Sequence, residues 1–239
     1  YVFTDNDIQL ASKSALNMAN DFWPNRKKMQ ANLISIKKSV ELGSKMEGTI
    51  AYTDAADAPS SGALGDSNAI ISEMIQQNYP HSILSTLLDP KSAQFAHKKG
   101  QGSQIKIPLG GAFDQRFKPL DLEWKVISVS NEPFMLEKWG FLQTPGLTAV
   151  LKSGNLTVVV TSNPVMQVDR SIYLVNKLNP KDFHSVIVKS PHCEPEFYDN
   201  WVKKNFNVDA PGATSANVSS LGHKNCQRPM FPMEKNSKF

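Results

Sequence analysis

Two segments of the chain carry side chains that bind charged groups or exchange protons, and each follows a short run of β-favouring residues. The first, residues 54–66, lies between a predicted strand and a predicted helix. Free backbone N–H groups and the dipole at the start of a helix favour a carboxylate. The segment is a candidate for binding substrate, although a plain turn with Asp66 as helix cap fits equally well. The candidate substrate-binding residues in it are Asp57, Ser60, Ser61, Gly62 and Asp66.

The second segment holds Lys189, Ser190 and His192 directly after the apolar residues of a predicted strand. Open α/β sheets bind their ligands at the carboxyl ends of strands. Lysine can bind a carboxylate, and histidine can exchange a proton near neutral pH. We therefore take His192 as the candidate catalytic residue and Lys189 and Ser190 as candidate substrate-binding residues, with a helix cap or core position as the structural alternative for the histidine.

Four side chains are of types that bind zinc: His192, Cys193, His223 and Cys226. Neither pair has the spacing of a zinc finger, and the chain has no His-Glu-x-x-His motif. We expect no metal ion to be bound wholly within this chain. The two cysteines are expected to be unpaired packing residues.

A polar, turn-rich segment near the end of the chain supplies the remaining candidates. It contains Thr214, Ser215 and Asn217, followed by His223, and it runs into Arg228 and Pro229. The prolines there predict an extended, pinned tail. For Arg228 and Pro229 we favour a structural role, in which the tail packs over the core. Substrate contact stays open for Thr214, Ser215, Asn217 and His223.

Periodicity along the chain predicts the elements that position these residues. Apolar residues at helical spacing predict a helix capped by Asp5 or Asn6 and stopped by Pro24. Alternating strands and helices then favour a parallel, helix-covered sheet, and residues 104–162 predict a mostly antiparallel β section. The fold class is therefore α/β, a mixed sheet with helices on its faces plus a mostly antiparallel β section. Further helices are predicted over 33–42, 66–75, 90–99, 169–177 and 194–204, and strands over 48–53, 82–88, 156–161, 184–189 and 207–209.

Composition excludes several function classes. The 239 residues carry a net charge of only +4, and the lysines are scattered among acidic residues, which argues against nucleic-acid binding. No apolar run approaches the roughly 20 residues of a membrane span, and the start lacks a signal-peptide pattern. We expect a soluble, cytoplasmic protein. The terminal Ser237-Lys238-Phe239 differs from the peroxisomal Ser-Lys-Leu address in its last residue, which makes a peroxisomal location the secondary expectation.

Five motifs follow one another along the chain. They are Asp54-x-x-Asp57-x-Pro-Ser-Ser-Gly-x-x-Gly-Asp66-Ser, Lys189-Ser-Pro-His192, Asp209-Ala-Pro-Gly-Ala-Thr-Ser-Ala-Asn217, Leu221-Gly-His223 and Arg228-Pro-Met-Phe-Pro. In this order, and over roughly residues 47–233, they resemble the C-terminal domain of the MlrC-type (microcystinase C) metallopeptidase family. Residues 1–46 resemble a linker and the tail of that family's first domain, and residues 47–239 its C-terminal α/β domain, so we expect residues before Tyr1 in a parent protein.

The resemblance implies a parent hydrolase that acts on peptides or related amides. Its first domain would hold zinc, which polarises the scissile carbonyl and activates water, while Lys189, His192 and the Asp57–Asp66 loop orient the substrate. The implied partners are its own N-terminal domain or an equivalent chain, a small peptide-like substrate, and a second copy in a homo-oligomer. The isolated chain would then be inactive and would expose apolar side chains of its first helix, including Leu10, Met18 and Phe22. The competing hypothesis is a non-catalytic binding or structural subunit that uses the same cleft.

Overall fold

A computed structural model describes residues 1–191, 198, 200–234 and 236–237. The chain divides into two compact units, one formed by Tyr1–Asn32 with Gly222–Phe239 and the other by Leu33–Leu221. The division predicted from the resemblance, at residue 46, stays a prediction. No helix among the described residues is long and apolar enough to cross a membrane.

The larger unit is built on one mixed sheet. Its strands within the described residues are β1 (Ile34–Ser35), β2 (Thr49–Thr53), β3 (Ile83–Leu88), β4 (Gln104–Leu109), β5 (Leu120–Ser130), β8 (Thr148–Ser153), β9 (Leu156–Thr161), β10 (Ser185–Val188) and β11 (Val202–Asp209). They lie in the order β1-β11-β2-β10-β3-β9-β8-β5-β4. The first six strands in that order pair in parallel, and the remaining pairs, β9 with β8, β8 with β5 and β5 with β4, are antiparallel. A separate two-stranded sheet pairs β6 (Phe134–Met135) with β7 (Leu142–Gln143).

Successive side chains of a strand point to opposite faces of the sheet, and each face contributes to a buried apolar cluster. In β2, Ile50 and Tyr52 join one apolar cluster, whereas Ala51 joins the other. Helices α2 (Ile36–Gly43), α3 (Ala69–Gln76) and α4 (Pro90–Lys99) contribute to the first cluster, and α5 (Ser171–Val175) to the second. The predicted fold class, a mixed sheet with helices on its faces and an antiparallel section, is confirmed.

The smaller unit contains α1 (Ile8–Asn25), which has no buried side chain within the described chain. Its cap is Asp7, one or two residues later than predicted, because the Asp7 carboxylate accepts a hydrogen bond from the Leu10 N–H. The helix also continues one residue past Pro24. Leu10, Met18 and Phe22 are each more than half exposed, as expected. Trp23 lies edge-on to Phe231, with ring centroids 6.4 Å apart.

Two other element predictions were wrong. Helix α3 begins at Ala69, so Asp66 precedes the helix by three residues and does not cap it. Residues 202–204 were predicted at the end of a helix, but they form the start of strand β11, which pairs with β2. Alternating exposure along that strand comes from its outer position in the sheet, where one neighbour is only the two-residue β1.

Candidate functional site

The carboxyl ends of the parallel strands bring the candidate residues to one edge of the sheet. Val188, the last residue of β10, pairs with Thr53, the last residue of β2, and Asn207 of β11 pairs with Thr53 on the other side. The segments that follow these three strands therefore start side by side. They are the segments that contain Asp57, Lys189 and Thr214.

Lys189 lies at the centre of this edge, and its ammonium group binds groups of the chain itself. The side chain is 1 % exposed, and Nζ lies 2.8 Å from Asp57 Oδ2 and 3.7 Å from Asp54 Oδ2. Nζ also donates a hydrogen bond to the Ser67 carbonyl at 2.7 Å. Burying an ammonium costs several kcal/mol unless it is paired and hydrogen-bonded. These partners meet that requirement.

The carboxylate of Asp57 organises the loop after β2. Its Oδ1 accepts a hydrogen bond from the Gly65 N–H at 2.9 Å, and its Oδ2 accepts one from the Ser67 N–H at 2.7 Å. The sequence predicted that N–H groups in this loop would attract a carboxylate. In the structure the carboxylate that they bind is that of Asp57 in the same loop. Asp57 thereby joins both ends of its own loop to the end of β10.

Asp54 is the second buried carboxylate of the cluster. Its Oδ1 accepts a hydrogen bond from the Asp57 N–H, which caps the short 3-10 turn at residues 55–57. Burial raises the pKa of Asp54 above its ordinary value, and the nearby Lys189 ammonium only partly opposes that shift. With two carboxylates around one lysine, a proton held by Asp54 would remove the excess negative charge.

Asp66 acts at a distance from this cluster. Its Oδ2 accepts hydrogen bonds from the N–H groups of Phe113 at 2.8 Å and Asp114 at 3.0 Å. Its carbonyl oxygen accepts another from the Gly111 N–H. Asp66 therefore fixes the turn after β4 to the loop after β2.

Two buried hydroxyls at this edge have no hydrogen-bond partner among the described residues. They are Ser60 Oγ and Ser190 Oγ. Ser190 is 1 % exposed, and an unpaired buried hydroxyl costs about 1–3 kcal/mol. Ser61 and Gly62 lie beside Ser60 on the exposed surface of the loop. These hydroxyls are the polar groups best placed to accept a new partner.

The segment after β11 packs against the loop after β2. Thr214 Oγ1 donates a hydrogen bond to the Ala55 carbonyl at 2.8 Å, and the Thr214 N–H donates one to the Ala56 carbonyl. At Gly212, an added Cβ would lie 2.1 Å from the Ala56 carbonyl oxygen, so only glycine allows this close approach. The fit explains the small residues of this motif.

Ser215 and Asn217 hold the same segment in shape. The Ser215 hydroxyl accepts a hydrogen bond from the Asn217 N–H at 3.1 Å. The Asn217 amide donates to the Asp209 carboxylate at the end of β11, at 3.2 Å from Oδ2. Both residues therefore belong to the same edge as Lys189, Asp57 and Thr214.

The remaining candidates do not belong to the described residues of the larger unit. His192, Cys193 and Glu194 lie outside them. His223 is exposed and belongs to the unit formed by Tyr1–Asn32 and Gly222–Phe239, as does the part-buried free Cys226. In the described part of the chain, no group of three or more His, Cys, Asp or Glu side chains could hold a metal ion. The described residues therefore do not fit a zinc ion.

Sequence reasoning missed Gln167, which connects three strands at this edge. Its Oε1 accepts a hydrogen bond from the Lys189 N–H at 2.7 Å, and its Nε2 donates to the Thr86 hydroxyl of β3. Gln167 is 2 % exposed and follows β9. The sequence could have indicated Gln167, because it follows a predicted buried strand. Polar residues that follow β9 reach the same edge of the sheet as the residues that follow β2 and β10.

The arrangement is a preorganised set of loops. Buried charges and backbone hydrogen bonds fix the loops after β2, β10 and β11 relative to one another, and the hydroxyls of Ser60 and Ser190 remain for a ligand. Such an edge can bind and orient a polar substrate. The described side chains include no nucleophile paired with a base at this edge.

Comparisons with known proteins agree with this architecture. Residues 52–225 match the family model described as MlrC C-terminus. The chain is 21 % identical to Microcystinase C from Sphingomonas sp over 238 residues. That alignment covers 98 % of this chain and 46 % of the relative. It also superposes on the crystal structure of a protein named "Putative metallopeptidase" from Mesorhizobium sp. BNC1, with a TM-score of 0.82 and 21 % identity.

That superposition covers 96 % of this chain and 47 % of the other. At this identity the likeness to the solved structure shows the shared fold. The chain spans about half the length of both relatives. Because the family model matches well over half of its residues, this chain belongs to the MlrC C-terminus family.

Proposed function

We propose that the chain is the substrate-orienting half of a zinc-dependent hydrolase that acts on peptide or related amide bonds. Membership of the MlrC C-terminus family supports a peptidase-like hydrolase. The observation that carries the proposal is the edge itself, where the buried Lys189–Asp57 ion pair joins two strand-end loops and two buried hydroxyls stay unpaired. Elements of this kind orient a substrate instead of cleaving it.

The candidate residues then divide into two roles. Lys189, Asp57 and Asp66 hold the loops in place, because their charged groups bind groups of the chain. Substrate contact falls to the exposed Ser61 and Gly62 and to the hydroxyls of Ser60 and Ser190, which are buried in the isolated chain and have no partner among the described residues. Thr214, Ser215 and Asn217 support that surface from the β11 side. His192, two residues beyond Ser190, is the proposed proton-transfer residue, and His223 is a further proposed substrate contact.

We place the zinc in a domain outside these 239 residues, as the family resemblance implies, and the described residues themselves do not fit it. The isolated chain should then bind peptide without hydrolysing it. Its partners would be that domain, in the same polypeptide or in another chain, and a peptide-like substrate. A cytoplasmic location, with a peroxisomal one as the alternative, is proposed on the sequence alone.

Peptide hydrolysis by the chain alone and by the chain joined to an MlrC-type N-terminal domain tests the proposal. The chain alone should release no product, and the chain joined to an MlrC-type N-terminal domain should release product that a zinc chelator abolishes and added zinc restores. In the joined protein, His192→Ala should lower turnover by about 10²–10⁴-fold. His97→Ala is the matched control, since His97 binds the Thr148 carbonyl and lies on α4.

Zinc-independent hydrolysis by the joined protein would contradict the proposal, as would full activity of His192→Ala. The competing function, a non-catalytic binding subunit, predicts peptide binding by both preparations with no hydrolysis by either.

A further inference from the structure

An exposed apolar hairpin stands on the same edge of the sheet as the candidate site. It consists of β6 and β7 with the turn between them, and it lies in the connection from β5 to β8. Thr148 at the start of β8 pairs with Thr161 at the end of β9, so this connection emerges where the parallel strand β9 ends. Trp139, Phe141 and Leu142, here called the aromatic tip, are 42 %, 57 % and 61 % exposed.

The hairpin is firmly held although its tip is exposed. Phe134 and Leu136 are buried in the second apolar cluster. The Glu137 N–H donates to the Ser171 hydroxyl at 3.0 Å, and the Lys138 N–H donates to the Asp169 carboxylate at 3.1 Å. These anchors hold the tip away from the core and fix its shape, which lowers the entropy that binding would cost.

The size of the exposed surface suits a small ligand. Three large side chains that are each about half exposed present on the order of 300–400 Å² of apolar surface. A specific protein–protein interface takes about 800 Å² from each partner. The aromatic tip alone is too small for such an interface, but it is large enough to cover one or two side chains of a bound peptide.

The tip is also within reach of the candidate site. Asp169 binds the Lys138 N–H at 3.1 Å, and Gln167, two residues earlier, binds the Lys189 N–H at 2.7 Å. Adding the lengths of these side chains and of two residues of backbone puts the two N–H groups at most about 22 Å apart. An extended peptide covers that distance with about six or seven residues.

We propose that the aromatic tip binds an apolar side chain of the peptide-like substrate, within about seven residues of the part that the strand-end loops hold. This assignment rests on the proposed function, because it adds a specificity-determining surface to the same site. It makes the preferred substrate a short peptide with an aromatic or aliphatic residue toward one end. The rest of the peptide contributes polar groups to the edge near Ser60 and Ser190.

Calorimetric titration of the 239-residue chain with two heptapeptides tests this assignment. The peptides are identical except that one has phenylalanine and the other has serine at both terminal positions. The phenylalanine peptide should bind about tenfold to a hundredfold more tightly, as expected for burial of one aromatic side chain. The double variant Trp139→Ser with Phe141→Ser should remove that difference and leave the affinity for the serine peptide unchanged.

Two further variants complete the test. Leu142→Lys should also reduce the preference for phenylalanine. Ile75→Ser, which changes an equally exposed apolar residue in the last turn of α3, should retain it. Unchanged thermal midpoints would show that all the variants fold.

The outcomes separate the two proposals. If the wild-type chain binds both peptides equally, or if the tip variants keep the preference, the assignment of the tip is wrong while the peptide-binding site stands. If the chain binds neither peptide, both proposals are wrong.

Discussion

At the scale of single residues, a stacked pair of histidines makes the fold sensitive to pH. The rings of His81 and His184 lie 3.9 Å apart, and each Nε2 faces a backbone carbonyl oxygen, Ser44 O for His81 and Met46 O for His184. The Nδ1 of His184 lies 3.1 Å from the Tyr79 hydroxyl. Since Nε2 must donate to the carbonyl, Nδ1 of the neutral ring accepts the Tyr79 hydrogen.

Acidification should therefore destabilise the protein. Burial holds the pKa of His184 below its ordinary value of 6.5, and the neighbouring His81 lowers it further. A histidine whose pKa is lower in the folded state than in the unfolded state stabilises the fold fully above the unfolded-state pKa. That contribution is lost as the pH falls from the unfolded-state pKa through the folded-state pKa. Urea unfolding should show a free energy of unfolding that decreases between about pH 7 and pH 5.

The variant His184→Gln should weaken this pH dependence, because the side chain can still donate to Met46 O but cannot gain a proton. His97→Gln serves as the matched control and should retain the wild-type slope. A wild-type slope in His184→Gln would show that other groups cause the effect.

Residue types and order placed Asp57 and Lys189 in segments that follow predicted strands, but they did not assign the partners of these side chains, and only the resemblance linked the Thr214 segment to them. Lys189 was a candidate for a substrate carboxylate, whereas the nearest carboxylates belong to Asp57 and Asp54. The sequence separation of more than 130 residues between these groups hides that pairing from any local pattern. Gln167 follows a predicted strand, but its partners Lys189 and Thr86 lie 22 and 81 residues away in the sequence, so no local pattern indicated its contacts.

At the scale of elements, the contact between the β11 segment and the β2 loop leaves no room for a side chain at Gly212. A Cβ there would lie 2.1 Å from the Ala56 carbonyl oxygen, which is backbone and cannot rotate away. Gly212→Ala should therefore displace one of the two segments and cost about 1–3 kcal/mol of unfolding free energy. Thermal or urea unfolding measures this loss.

Ala213→Ser is a suitable control, because Ala213 is the exposed next residue and should accept the change within about 0.5 kcal/mol. Equal stability of both variants would mean that the two segments separate easily in solution.

The elements themselves were largely predictable, with errors where the tertiary environment decides. Buried apolar runs gave β2, β3, β9 and β10 within one or two residues. Residues 202–204 were assigned to a helix because their polar, lysine-containing sequence lacks a strand signal. Their position beside β2 in the sheet overrides that preference.

At the scale of the whole molecule, the first helix presents apolar side chains to solvent. Ile8, Leu16, Met18 and Phe22 of α1 are each more than half exposed. Exposed apolar surface of this kind promotes association. Analytical ultracentrifugation should show reversible self-association that increases with concentration, and Met18→Glu with Phe22→Glu should reduce it.

The matched control for that experiment is Ile75→Glu, an exposed apolar residue on α3 of the larger unit. A chain that sediments as a monomer at every concentration would contradict the prediction of a homo-oligomer.

The internal carboxylate of Asp57 has a further consequence for the whole fold. Because it occupies a nest formed by two N–H groups and an ammonium group, it behaves as a tethered anion. Asp57→Gly should empty the nest, lower the thermal midpoint and leave a cavity of the size of acetate. Added acetate should then restore part of the lost stability by chemical rescue, whereas the wild-type chain and Asp66→Gly should show no such gain.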